Sequence, residues 1–265
     1  PWINEKLGIV NTPYWGMEHQ TIIAYGNEYK NNEKGYDFLL FHEMSHEWWG
    51  NYLSVGDWAD LWIHEGFAVY VESLFLEEKY GTDEYNKFFR KKLLKKIPLK
   101  QPIVPHRNAT TDDVSGLDPY YKGAYVLHML RYLIGDVIFF EILNEFLYMK
   151  KQLPNNQVTT NDFIDLVHKK TKKNMSWFFR TYLYEKEYPV LTQKTKHGSN
   201  HTFIELYWEN KNFFMPVEVF YNSNTGLMER KLSLTNKPTM IAIPHHNKIR
   251  VDPEKKILLR INKKE

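Results

Sequence analysis

The chain has 265 residues, 43% hydrophobic and 25% charged, with a formal charge of +3 from 35 basic and 32 acidic side chains. So balanced a charge excludes the electrostatic footprint of a nucleic-acid binder, and no apolar stretch approaches the ~20 residues of a membrane span. The absence of cysteine excludes thiolate zinc sites, disulfide scaffolds and thiol nucleophiles.

The chain opens at Pro1-Trp2 without a methionine and reads as an excised piece, so the absence of a signal segment says nothing about location. Residues 1 to about 36 hold short β-like runs such as Thr21 to Tyr25. From Asp37 the pattern is helical. Asp37 is the expected cap of a helix running to Gly50, and residues 58–80 read as a second helix closed by Gly81. Thr82 or Asp83 opens a third that ends before Pro98. Its basic run, Arg90 to Lys96, reads as a solvated face with Leu93, Leu94 and Ile97 turned inward. Residues 98–118 form a proline-bearing loop, and helices follow at about 120–134, 136–151, 161–171 and 175–185. After Pro189 the signal becomes β-rich: Phe203 to Trp208, Met215 to Tyr221 and Leu227 to Leu234, separated by turn residues. Short strands at this spacing suggest a small β-sandwich. The boundary is placed near residue 190, giving domains 1–189 and 190–265.

The chemistry concentrates in His42-Glu43-Met44-Ser45-His46, an H-E-x-x-H pattern. Residues i and i+4 share a helix face, so both imidazoles can converge on one zinc ion, while Glu43 lies ~100° further round, where it can accept a proton from water over the open side. Phe38 to Phe41 before the motif and Trp48-Trp49 after it make this a helix to be buried, where two His and two Glu without a purpose would be costly. A catalytic zinc takes three protein ligands and keeps one position open. The metzincin extension fails, since Trp49 and Tyr52 stand where Gly and His are needed. Glu65 on the next helix completes a His₂Glu set, with His64 its rival.

His42 to Asn51, with Glu65 eighteen intervening residues after His46, resembles the H-E-x-x-H-x₁₈-E signature of the M1 family of zinc aminopeptidases. Gly16-Met17-Glu18-His19 resembles that family's G-x-M-E-N element, and Tyr120-Tyr121-Lys122-Gly123-Ala124 its Y-x-K-G-A element. The resemblance covers residues 13 to about 190, and the β module after it fits the family's domain order. It implies an α+β chain, with a mainly helical thermolysin-like catalytic domain followed by a small β-sandwich. It further implies one zinc ion on His42, His46 and Glu65, with Glu43 as general base and Tyr120 as oxyanion donor. Glu18 would hold the free α-ammonium of a peptide, aided by Gly16, where the substrate backbone comes close, and Met17. Tyr121 rivals Tyr120 on register alone. The family's Asn is His19 here, which bears on the contacts to the amine rather than on the reaction. Family members carry an N-terminal β domain that adds to the amine site. That missing domain is the expected structural partner, and without it the piece is expected to bind zinc with weak turnover at most.

The rival readings are a zinc endopeptidase, a bifunctional epoxide hydrolase and a noncatalytic homologue. Glu47 and Asn51 read as supporting residues. His106, His128, His168, His197 and His201 show no ligand spacing, and the adjacent pair His245-His246 would point to opposite faces of a strand.

Overall fold

The computed structural model describes residues 6–99, 101–149, 157–223, 225–244 and 247–264. Pro1-Trp2 and the His245-His246 pair lie outside the described residues. The chain is a mixed helix and sheet protein that divides into two compact units, residues 1–173 and 174–265.

The first unit opens with a small sheet. β1 (Gly8–Asn11) runs parallel to β3 (Ile22–Tyr25), and β2 (Gly16–Met17) pairs antiparallel with β3 at the other edge. Helix α1 (Phe38–Ser45) packs on this sheet through Leu39, which meets Ile23 and Tyr25. The helix stops at Ser45 rather than at Gly50. Beyond it the bonds first tighten to i→i−3, from the Glu47 and Trp48 N–H groups to the Met44 and Ser45 carbonyls, and then widen to i→i−5, with the N–H groups of Asn51, Tyr52 and Leu53 donating to the carbonyls of His46, Glu47 and Trp48. Gly50, at φ +143°, turns the chain there. A two-residue parallel pair follows, β4 (Ser54–Val55) with β5 (Gln157–Val158).

The stretch expected as one helix over 58–80 splits into a short 3-10 turn, Trp58–Asp60, and α2 (Trp62–Tyr80). Asp60 is wholly buried, accepting from the Thr160 N–H at 2.9 Å and from Arg107 at 2.7 Å. That pins the entry of α2 to distant parts of the chain. α3 (Thr82–Lys87) continues through a π-helical turn, Phe88–Leu93, and a last turn to Lys96. A second π-helical turn, Asp118–Lys122, leads into α4 (Gly123–Ile134), which α5 (Asp136–Tyr148) and α6 (Thr160–Thr171) follow. α2 and α4 cross where Gly66 meets Gly123. A Cβ on Gly66 would lie 2.9 Å from the Gly123 carbonyl carbon and 3.1 Å from the Pro119 oxygen.

The second unit begins with α7 (Ser176–Phe179) and a π-helical turn, Arg180–Tyr184. This segment groups with the strands because Trp177 packs edge-on against Phe213 and Phe214 and the Tyr182 hydroxyl donates to the Leu258 carbonyl. The units therefore part at 173/174, ahead of the position near 190 read from composition. The strands are β6 (Val190–His197), β7 (His201–Trp208), β8 (Val217–Ser223), β9 (Gly226–Leu232), β10 (Thr239–Pro244), β11 (Ile249–Val251) and β12 (Arg260–Lys264). They form one sheet in the order β10-β7-β6-β12 and another in the order β11-β8-β9. Along β7, Thr202, Ile204, Leu206 and Trp208 are buried, the two-residue alternation of a strand with one face on a core.

Candidate active site

α1 is fixed at its start. The Asp37 carboxylate accepts from the N–H groups of Leu39 at 3.1 Å and Leu40 at 3.2 Å, and the Tyr25 hydroxyl donates to it from β3. Leu39 and Glu43, one turn apart, face the sheet, and His42 and His46 form the neighbouring face. The two Nε2 atoms are 3.2 Å apart. Glu65, in the first turn of α2, brings Oε2 to 3.4 Å from each of them.

Four tetrahedral bonds of 2.0–2.1 Å hold their ligand atoms ~3.3–3.4 Å apart. The triangle therefore has the size a zinc-like ion requires. Glu65 Oε2 is also buried with no donor in hydrogen-bonding geometry, an orphaned acceptor that a cation would satisfy. Glu18, Glu43 and His46 form a second group whose ligand atoms lie within 4.8 Å of one another. It shares His46 with the triangle, so Glu18 and Glu43 border that triangle.

His64 takes no part. Its Nε2 accepts from the Val55 N–H at 3.2 Å, and burial, with His46 nearby, lowers its pKa to about 4. The His46 Nδ1 faces the Trp49 carbonyl at 3.0 Å, the partner that leaves Nε2 directed at the triangle. Tyr120 lies nearly parallel to the His42 ring, centroids 6.2 Å apart. Tyr121 turns instead to Lys96, whose Nζ donates to its hydroxyl at 3.4 Å and lies 5.0 Å from its ring centre. Glu18 follows the edge strand β2, and the Asn51 amide donates to its carbonyl at 2.9 Å and to Glu47 at 3.3 Å. Asn51 thus ties the end of the helical segment to the strand that presents Glu18, which sequence reasoning left unspecified. Met17 is exposed beside it, as is His19. A cleft of about 1750 Å³ runs past Glu18, Glu43 and Tyr120 to Lys91, Lys92 and Lys96. The basic run is solvated as expected, but part of it faces this cleft.

Burial pushes Glu43 up to about 7, against the pull of His42 and His46 and with help from Glu18 and Glu65. Burial also raises Tyr120 well above the usual phenol range, together with the Glu65 carboxylate, so it stays protonated and able to donate. For Glu65, burial is outweighed by His46 and His42, which hold it well below the carboxylate range. For His46, burial is outweighed by Glu65, giving a pKa of about 9. A metal must displace that proton at neutral pH. Zinc added to the metal-free protein at pH 7 is expected to release about one proton, with affinity rising as the pH approaches 9. Calorimetry in buffers of different ionisation heat checks this; zinc uptake without proton release would refute it. The sign for stability is the reverse. The His46–Glu65 attraction supports the metal-free fold fully below the ordinary histidine value of 6.5 and fades as the pH rises through about 9.

Residues 11–182 match the model of the peptidase family M1 domain. The chain is 27% identical to aminopeptidase M1 of Arabidopsis thaliana over 188 residues, 68% of this chain and 21% of that protein. It is 29% identical to aminopeptidase N of Lactococcus lactis subsp. lactis over 164 residues, 58% of this chain and 19% of that protein. The chain thus spans about a fifth of the length of these relatives. Its fold resembles that of Legionella pneumophila aminopeptidase A, solved in complex with aspartic acid, with a TM-score of 0.75 and 17% identity over 96% of this chain and 31% of that one. A family match over most of the chain, which takes in Glu18, the His42–Glu65 cluster and Tyr120, shows that this chain belongs to peptidase family M1.

Proposed function

We propose that this chain is the catalytic part of a zinc aminopeptidase that removes the N-terminal residue of peptides, on a thermolysin-like domain followed by a small β-sandwich. The observation that carries the reading is the three-atom triangle with two further carboxylates at its border, one on a helix and one at a strand edge. His42, His46 and Glu65 would hold the zinc, which when bound supplies Lewis-acid polarisation of the scissile carbonyl. Glu43 accepts the proton of the attacking water and returns it to the leaving amine. A pKa near neutrality suits a group that must do both. Tyr120 donates its hydroxyl proton to the oxyanion. Glu18 accepts charge-assisted hydrogen bonds from the substrate α-ammonium, and β2, through Gly16 and Met17, offers backbone groups to the extended peptide.

The test uses aminoacyl fluorogenic substrates and their N-acetylated forms on the full-length protein. Turnover that EDTA removes and zinc restores, on free amines only, is the expected result. Equal cleavage of acetylated peptides would make the protein an endopeptidase. Glu18→Gln is expected to lower kcat/KM on free-amine substrates ~10–100-fold, the worth of hydrogen bonds to a charged group, with no effect on zinc content. An unchanged kcat/KM would remove Glu18 from the amine site.

A further inference from the structure

We propose that Gly16 is a positioning residue for Glu43: the space its absent side chain leaves holds the Glu43 carboxyl group in place. The inference rests on the reading of Glu43 as the base. A Cβ built on Gly16 would lie 2.4 Å from Glu43 Oε1 and 3.0 Å from its Cδ, with Leu39 Cδ1 also at 3.0 Å. The first distance is far inside van der Waals contact. Gly16 is not among the residues of positive φ, so its backbone would accept alanine. Glycine is needed here for room, not for conformation.

The room is made by how α1 sits. Leu39 is clamped between Ile23 and Tyr25, and Gly16 pairs with Tyr25 across the strands, so the strand edge lies directly under the 39/43 face of the helix. The helix cannot lift without undoing the Leu39 contacts, whereas the end of the Glu43 side chain can rotate. Alanine at position 16 therefore spares the fold and moves the carboxyl group. At Gly66 the nearest atoms are backbone, and no such escape exists.

A double-substitution cycle on the full-length enzyme tests this. Gly16→Ala is expected to lower kcat ~100-fold, the usual penalty for about 1 Å of misplacement, with KM, zinc content and Tm little changed. Glu43→Asp withdraws the carboxyl group by one methylene. Adding Gly16→Ala to it should then cost less than ~5-fold, because the colliding atoms are gone. Three results would overturn the proposal: an equal ~100-fold loss in both backgrounds, which places Gly16 on the substrate alone; a loss confined to KM; or a Gly16→Ala protein that does not fold. If the unsubstituted enzyme has no turnover, or Glu43→Asp has no effect, the reading of Glu43 as base fails instead.

Discussion

Glu43→Gln is expected to lower kcat ~10²–10⁴-fold, the range for losing a positioned general base, while zinc content stays at its original level. The amide keeps the shape of the side chain and cannot accept the proton. His42, His46 and Glu65 are untouched, so the 3.2–3.4 Å triangle should persist. Stability should move the other way. The folded-state pKa of Glu43 is raised from 4.5 to about 7, so its charged form is disfavoured in the fold. That penalty is absent below the unfolded value, grows as the pH rises towards 7 and is constant above it. In the metal-free protein at pH 8 the neutral amide escapes a cost on the order of 3 kcal/mol. Tm is then expected to rise by roughly 5–10 °C at pH 8, and the gain should vanish near pH 4. Differential scanning calorimetry at the two pH values and metal analysis check all three outcomes. Retained turnover would support a noncatalytic role for Glu43, and loss of zinc would make it a ligand.

Gly66→Val is expected to damage both fold and activity. Even alanine would bring a Cβ to within 3.1 Å of three backbone atoms, the Gly123 carbonyl carbon, the Gly123 Cα and the Pro119 oxygen. Overpacking of this kind costs ~1–3 kcal/mol, about 2–4 °C of Tm for each kcal/mol, and valine more. Glu65 precedes one side of the crossing and Tyr120 lies within the turn on the other, so widening it separates the third carboxylate from the phenol. Turnover is expected to fall ~100-fold or more. Gly123→Ala should be milder, since its Cβ would meet the Gly66 Cα at 3.1 Å and the Trp62 Cβ at 3.5 Å. Thermal melts and turnover of the two variants side by side check the order, and equal tolerance at both positions would refute it.

Local signals were legible. Asp37 caps α1, Gly81 closes α2 with φ +85°, and helical structure gives out before Pro98. His42 and His46 were legible for the same reason, since helical spacing puts them on one face; Glu65, on the next helix, came from the three-ligand need of a catalytic zinc and from the family resemblance. What escaped depends on partners distant in sequence or on bonds without a period. α1 stops at Ser45, where i→i−3 and then i→i−5 bonds replace the helical ladder, and a hydropathy pattern does not distinguish these from a continuing helix. Trp48 was expected to be buried and is 41% exposed. The β4–β5 pairing is two residues long and leaves no alternation to find. β12 returns to run parallel to β6, pairing Arg260 with Val190 across a long separation in sequence. The glycines at 16, 66 and 123 were visible as letters, but the atoms that forbid a side chain there come from elsewhere in the chain.

The wide turn after α1 sets the smallest portable unit of this site. The carbonyl opposite His46 Nδ1 belongs to Trp49, and the next residue is Gly50, at φ +143°, where any Cβ would press on the His46 oxygen at 3.1 Å and on Nδ1 at 3.2 Å. Transplanting His42 to His46 alone onto a helix that runs straight on would carry both imidazoles but leave one without the group that selects its tautomer. The graft must extend to Gly50, and a designer who replaces that glycine to lengthen the helix should find the second histidine present, buried and wrongly protonated.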